Sequence, residues 1–170
     1  MPAVLNFEGL YDEHAQALFA FLLNFTRNEA DTRDLLQELF VKLARQPSLL
    51  GGVRDPRSFL LRLAHNAAVD LMRRRATREK HQDQLATETP QAFAPSNDLD
   101  EQSFREALSA ALGELPAEQR AVVHLKLWEH QTFDAIAETL GVSLNTAASR
   151  YRYGLDKLRQ RLRPLYDEII

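Results

Sequence analysis

The 170-residue chain has no cysteine, six glycines, seven prolines and an aromatic share of only 8%. Without cysteine there is no disulfide scaffold, no thiolate metal site and no cysteine nucleophile. No stretch approaches the roughly 18 unbroken apolar residues that a membrane span needs. The start, Met1 to Glu8, has neither a basic n-region nor a signal-like apolar run, so the default compartment is the cytoplasm. Internal repeats and long low-complexity tracts are also missing. Positive charge is not in excess: 21 Lys and Arg stand against 24 Asp and Glu, a formal net charge of −3. That total argues at first against nucleic acid, because phosphate binding needs a cationic surface. What remains, 45% apolar and 26% charged residues, fits an ordinary globular protein of one domain or two small ones.

The distribution of charge says more than its sum. Residues 1–77 carry ten bases and nine acids, residues 78–104 two and six, and residues 105–170 nine and nine. Arg54 to Lys80 holds eight bases against three acids, and Gly141 to Arg163 six against Asp156 alone. Two segments of net +5 are therefore hidden in an acidic total.

Apolar periodicity divides the chain the same way. A helical stripe runs through Phe7, Leu10, Tyr11, Leu18, Leu22 and Phe25. Asp31 is a candidate N-cap for a second helix with Leu35, Leu36, Leu39, Phe40 and Leu43 on one face. Gly51-Gly52 breaks the pattern. Asp55-Pro56 restarts it, with Asp as cap and Pro at the first helical position; Phe59, Leu60, Leu63, Ala64, Ala67 and Leu71 bury this third helix. Periodicity then collapses over residues 78–103, where Thr87 to Asp98 reads as linker. It returns as helices over Phe104–Gly113, Pro116–Trp128, Phe133–Leu140 and Leu144–Arg163. The expectation is an all-α protein: two small helical domains, 1–77 and 104–170, joined by a flexible acidic linker.

The strongest local signal lies in the second domain. A short helix with Ile136, Ala137 and Leu140 inward meets Gly141, where a positive φ is cheap only for glycine. Ser143 is placed to cap the following helix, and the small Ala135, Ala137, Ala147 and Ala148 permit a close crossing. This is the helix-turn-helix layout, whose second helix enters the major groove. That helix offers Asn145, Thr146, Ser149, Arg150 and Arg152, with Tyr153 beyond. Asn and Arg read base edges; Ser, Thr and Tyr hold phosphates. Gly spacing, Ser cap, polar start and basic tail occur together, which favours DNA binding over a plain solvated hairpin.

Two further faces carry polar side chains. On the third helix Asn66, Asp70, Arg73 and Arg74 line up opposite the buried stripe, with Arg62 one turn earlier and Arg75 after them. Such a face tracks phosphates or meets separated bases; equally, it is a helix end whose Arg run complements the macrodipole. On the second helix Asp34, Gln37 and Glu38 precede Lys42, a pattern that simple i,i+4 support explains. The five histidines (14, 65, 81, 124 and 130) show no metal-ligand spacing and read as surface or half-buried side chains. No phosphate loop or nucleophile elbow is present, so no cofactor, metal site or catalytic residue is expected.

Taken together, these residues resemble the bacterial RNA polymerase sigma factors of the small extracytoplasmic-function (ECF) group. Asp34 to Leu43 (DLLQELFVKL) is similar to the family's core-binding helix, and Arg57 to Arg75 (RSFLLRLAHNAAVDLMRRR) to its promoter-melting helix. Leu112 to Arg120 (LGELPAEQR) is similar to the signature that opens the last domain, which the helix-turn-helix closes. The resemblance spans nearly the whole chain in order. It implies a promoter-specificity subunit that is not an enzyme. Asp34, Gln37 and Glu38 would bind the clamp coiled coil of the polymerase largest subunit. Arg62, Asn66, Asp70, Arg73, Arg74 and Arg75, with the loop from Leu49 to Ser58, would engage the −10 element and a flipped non-template base, since unstacked bases expose their edges. Asn145, Thr146, Ser149, Arg150 and Arg152 would read the −35 element as duplex. The polymerase flap and an anti-sigma factor are further implied partners. Residues 78–103 would thread near the RNA exit path, their acidity mimicking nucleic acid. The chain departs from the family at Ala44, Ala147 and Tyr153-Gly154, and its end soon after the last helix leads to the expectation of no appended regulatory domain.

The rival reading is a stand-alone helix-turn-helix regulator, which would bind symmetric operator half-sites without polymerase. An adaptor that holds polymerase without reading DNA would be indifferent to Arg150→Ala. Under the sigma reading, a weak overall charge limits stray DNA binding by the chain alone.

Overall fold

A computed structural model describes residues 6–79 and 99–169, apart from the side chains of 79, 99, 100 and 165–169. Among the described residues seven helices run in order: α1 Phe7–Thr26, α2 Glu29–Arg45, α3 Pro56–Glu79, α4 Leu99–Glu114, α5 Ala117–Leu127, α6 Phe133–Leu140 and α7 Leu144–Ile169, with a 3₁₀ turn at Pro47–Leu50. No strand occurs among the described residues.

Caps set most boundaries. Asp55 accepts from the Ser58 amide at 3.3 Å and the Ser58 hydroxyl at 2.7 Å, with Pro56 opening α3. The Ser58 hydrogen bond holds the Asp55 carboxyl below its ordinary range. The cap of α2 is Asn28, not Asp31: the Asp31 amide donates to Asn28 Oδ1 at 3.0 Å. Asp31 sits one turn inside and is buried, and its carboxylate takes both guanidinium nitrogens of Arg75 from α3. An Asn two residues past Thr26 competes for the same role as an Asp, and the tie to a base 44 residues away decides between them.

α4 begins at Leu99, five residues before the expected Phe104, inside the segment read as linker. Its opening turns are polar, so they carry no apolar period. They are held instead by Arg105–Glu101 at 2.7 Å and Gln102–Glu106 at 3.4 Å, pairs one turn apart that stabilise a wet helix. α7 likewise continues past Arg163, through Pro164. The rest of the expected linker, residues 80–98, lies outside the described residues.

The core starts on α1, where Leu18, Phe21, Leu22 and Phe25 pack against Leu35, Leu39 and Leu43 of α2 and Leu60, Leu61 and Ala64 of α3. The same cluster continues through Ala121, Val122 and Leu125 of α5 to Ile136, Leu140 and Ala147 of the helix-turn-helix. A smaller cluster joins Leu112 and Leu115 to Val123 and Leu158. The two halves are thus packed together, α1 against α5 and α3 against α6.

Gly154 shows why one departure in the sequence is tolerated. It is buried on α7, and an added Cβ would stand 2.9 Å from Val123 Cγ2 and 3.6 Å from Gln119 Cβ. Valine is stiff at χ1, so the α5–α7 crossing must widen. Gly154→Ala gains about 1 kcal/mol of helix propensity but incurs overpacking of about 2 kcal/mol. A net fall in melting temperature of roughly 3 °C is expected; a rise would show that the contact yields freely.

Candidate nucleic-acid and polymerase interface

The helix-turn-helix forms as its residues dictate. Thr132 caps α6 through the Ala135 amide at 3.1 Å, and Gly141 closes it at φ +68°. The Val142 amide returns to Ala137 O at 3.0 Å, and Ser143 Oγ accepts from the Thr146 amide at 3.1 Å to start α7. Ile136 and Ala147 are fully buried where the helices cross. On α7, Asn145 and Arg152 are exposed and Thr146, Ser149 and Arg150 are half-buried. Arg152 lies over the exposed Tyr153 ring at 5.3 Å from its centroid. Thr146 also bonds Ser143 at 2.9 Å.

α3 holds Asn66, Asp70, Arg73 and Arg74 on its exposed face, while Arg62, half-buried, stands over the Phe59 ring at 5.7 Å. Arg75 points elsewhere: its guanidinium is committed to Asp31. Asp34, Gln37 and Glu38 are all exposed on α2. Gln37 and Glu38 line a depression of about 480 Å³ with Val41, Lys42, Arg45 and Gln46. The structure therefore places the expected residues on three separate helices, α2, α3 and α7.

Two features were not read from the sequence. One is an apolar groove of about 750 Å³ on the second half, floored by Leu108, Trp128, Leu155 and Leu158 and edged by Phe104 and Arg159. The other is the polar seam between the halves. Arg120, 5% exposed, donates from Nε to Asn24 O and from Nη2 to Phe25 O at 2.7 Å, both at the end of α1. Its Nη1 reaches Leu115 O at 2.8 Å and Leu112 O at 3.3 Å. Burial, with Arg27 nearby, pushes its pKa down to about 10. Arg27 donates to Ser109 O at 2.8 Å, Asn24 Nδ2 to His124 Nδ1 at 2.7 Å, and Arg57 pairs with Glu129 at 2.9 Å. Glu118 lies 3.5 Å from His65 and 3.4 Å from Arg150; His65 first, then Arg150 and Arg73, hold its carboxyl below the usual range. His14, His65 and His124 are 6%, 4% and 3% exposed, against the expectation of surface or half-buried side chains. Helical periodicity cannot show this, because other helices cover the rings: Phe21 and Phe25 of α1 lie against His65, and Phe21 and Asn24 of α1 against His124.

Among the described residues no cluster of three or more His, Cys, Asp or Glu could hold a metal ion, and no helix is long and apolar enough to cross a membrane.

Comparison with known proteins gives this surface layout its context. Residues 10–78 match the Sigma-70 region 2 family and residues 111–160 the Sigma-70 region 4 family. The chain is 30% identical to the ECF RNA polymerase sigma factor SigL of Mycobacterium tuberculosis, over 92% of this chain and 89% of that one. It is 32% identical to the ferric citrate uptake sigma factor FecI of Escherichia coli, over 85% and 83%. The solved structure of the sigma factor RpoE of Bartonella quintana, in complex with the anti-sigma factor NepR, has the same fold: TM-score 0.77 at 23% identity, covering 94% of this chain and 98% of that one. With α1 to α3 matching region 2 and the helix-turn-helix lying within region 4, the chain belongs to the ECF RNA polymerase sigma factors, which direct promoter-specific transcription initiation.

Proposed function

We propose that this sigma factor divides its work among three helices. Asp34, Gln37 and Glu38 of α2 dock on the clamp coiled coil of the polymerase largest subunit. Asn66, Asp70, Arg73 and Arg74 of α3, with Arg62 and the loop before it, engage the −10 element after strand separation; Arg75 belongs to this set by position but braces α3 on Asp31. Asn145, Thr146, Ser149, Arg150 and Arg152 of α7 read the −35 duplex. The apolar groove beside Trp128 takes the polymerase flap. An anti-sigma factor is the regulatory partner, as in the complex of its structural neighbour.

The observation that carries the reading is the exposed acid and amide face of α2, set on a helix whose other face is core. Such a face has no packing role. Run-off transcription with core polymerase over a promoter library tests it. The wild type is expected to fire a defined promoter class, and Asp34→Ala/Glu38→Ala to lose about tenfold or more of that transcription at limiting protein, the cost of losing charged contacts at an interface. No transcript from any promoter with the wild type would overturn the reading.

A further inference from the structure

One bidentate ion pair joins α2 to the last turns of α3. Asp31, 8% exposed in the first turn of α2, takes Arg75 Nη1 on one carboxylate oxygen and Nη2 on the other. The start of α2 also favours a negative charge there through its dipole. Stability is a poor reason for such a pair, because taking two charges out of water costs about as much as their attraction returns. What it supplies well is register: a guanidinium fork and a carboxylate fit in one plane and at one spacing.

Register matters here because the end of α3 has no other anchor of this kind. As far as Met72 the helix is packed: Leu60, Leu61, Ala64 and Ala68 are buried, and Leu71 and Met72 lean on the same core. From Arg73 to Arg78 every residue is exposed. The hydrogen bonds of Arg74 and Thr77 run back along α3 itself, to Asp70 O at 3.4 Å and Arg73 O at 3.1 Å. Among the described residues, Arg75–Asp31 is the one ion pair that ties this stretch to another helix. A helix end without apolar burial opens at little cost, so the orientation of Arg73 and Arg74 is set by the tie of their neighbour rather than by a core.

The other end of the tie is placed as tellingly. Asp34 and Glu38 follow Asp31 by three and seven residues on α2 and are exposed where Asp31 is buried. Two side chains thus connect the polymerase-docking helix to the arginines beside promoter DNA. Resting on that reading of α2 and α3, we propose that Asp31 is a positioning residue for promoter opening. Through Arg75 it fixes the arginine end of α3 against polymerase-bound α2, so that Arg73 and Arg74 meet the −10 strands in one orientation. Arg75 spends its fork on Asp31 and not on a phosphate.

The test assembles the full-length chain with core polymerase on a promoter that the wild type fires, prepared in two forms. One is fully paired; the other is mismatched over the −10 segment, so that its strands are already apart. Permanganate reactivity of the −10 thymines follows opening of the paired form. Asp31→Asn and Arg75→Gln are each expected to slow opening about tenfold, an effect within reach of side chains that tune a site without touching its ligand. The double variant is expected to slow it no further, as for two residues that act through one contact. The two substitutions change net charge in opposite directions, so a direct effect on attraction to DNA would drive them apart. Polymerase binding, titrated with core enzyme, is expected to hold. The mismatched template is expected to restore most of the transcription, since a strand already free adapts to arginines that have moved. Unchanged or faster opening by Asp31→Asn overturns the proposal, because Arg75 is then a DNA contact that Asp31 does not serve. A loss of polymerase binding in step with opening, or an equal loss on both templates, overturns it too and leaves the pair a brace of the fold alone. A wild type that fires no promoter overturns the helix assignment and this inference with it; variants that open as the wild type does overturn this inference only.

Discussion

Arg120→Ala is expected to lower the melting temperature by roughly 10 °C, the equivalent of about 4 kcal/mol in a chain of this size. The guanidinium is nearly inaccessible and its partners are four backbone carbonyls, of Asn24, Phe25, Leu112 and Leu115. A buried cation ordinarily needs a carboxylate. Here two helix ends serve instead: α1 and α4 both finish at this point, and each C-terminus presents a partial negative charge of about half a unit. Removing the side chain orphans carbonyls from two helices and empties a site between three. Hydrogen bonds from a charged donor contribute about 1.5–3 kcal/mol apiece when the acceptor is left buried, and water entering the vacated site offsets part of the sum. Arg120→Lys is expected to cost about half as much, because one ammonium cannot span the fork of acceptors. Thermal unfolding followed by circular dichroism decides it. A shift of less than about 2 °C for Arg120→Ala would mean that the four bonds are matched by hydration in the unfolded chain.

That residue also marks where a reading of the sequence stops. Asp55-Pro56, Gly141 and Ser143 were legible because a cap or a turn is a contract between residues three or four apart, and the structure honours each with a hydrogen bond or a positive φ. The inward stripes of α1 and α2 were legible for a similar reason: a helix that buries one face must repeat it. Arg120 stands between Gln119 and the apolar run Ala121-Val122-Val123 of α5, and nothing local says that its guanidinium spans to α1, 95 residues away in sequence. The same holds for Arg75, which reads as one of three equivalent arginines until Asp31 claims it. The start of α4 was missed because its first turns are stabilised by charge pairs rather than burial. For the candidate site residues of α2 and α3, what was legible is their exposure, since a polar face lies opposite an apolar one on each helix. Glu118 was not, because its meaning depends on which residues another helix brings to it. The acidic total of −3 belongs to the same lesson: some of those acids lie in the seam between the halves, Glu118 beside His65 and Arg150 and Glu129 beside Arg57.

Stability is expected to fall by about 3 kcal/mol between pH 7 and pH 4 on account of His124 alone. Its ring is 3% exposed, lies 5.6 Å from Phe21 and 5.4 Å from Trp128, and accepts at Nδ1 from Asn24. An acceptor nitrogen has no proton to spare, so the neutral ring is the one the site fits. Burial accordingly pushes its pKa from 6.5 down to about 4. The unfolded chain takes up a proton near pH 6.5, whereas the folded chain refuses it until about pH 4. Protonation therefore favours the unfolded state throughout that window. The stabilisation is complete above the upper limit and is lost progressively as the pH falls through it. Asp55 and Glu118, whose pKa values are lowered, add to the loss at more acidic pH; Glu129, raised chiefly by burial, opposes it. The upper half of the window is thus the signature of the histidine. Urea unfolding at a series of pH values in wild type and His124→Gln separates the contributions. Glutamine can still accept from Asn24 but does not titrate, so the variant is expected to be less stable than wild type at pH 7 and to show a flatter slope between about pH 6.5 and pH 5. An identical slope in the two proteins would show that His124 keeps its proton affinity on folding, and that the contact between α1 and α5 is open enough to admit water.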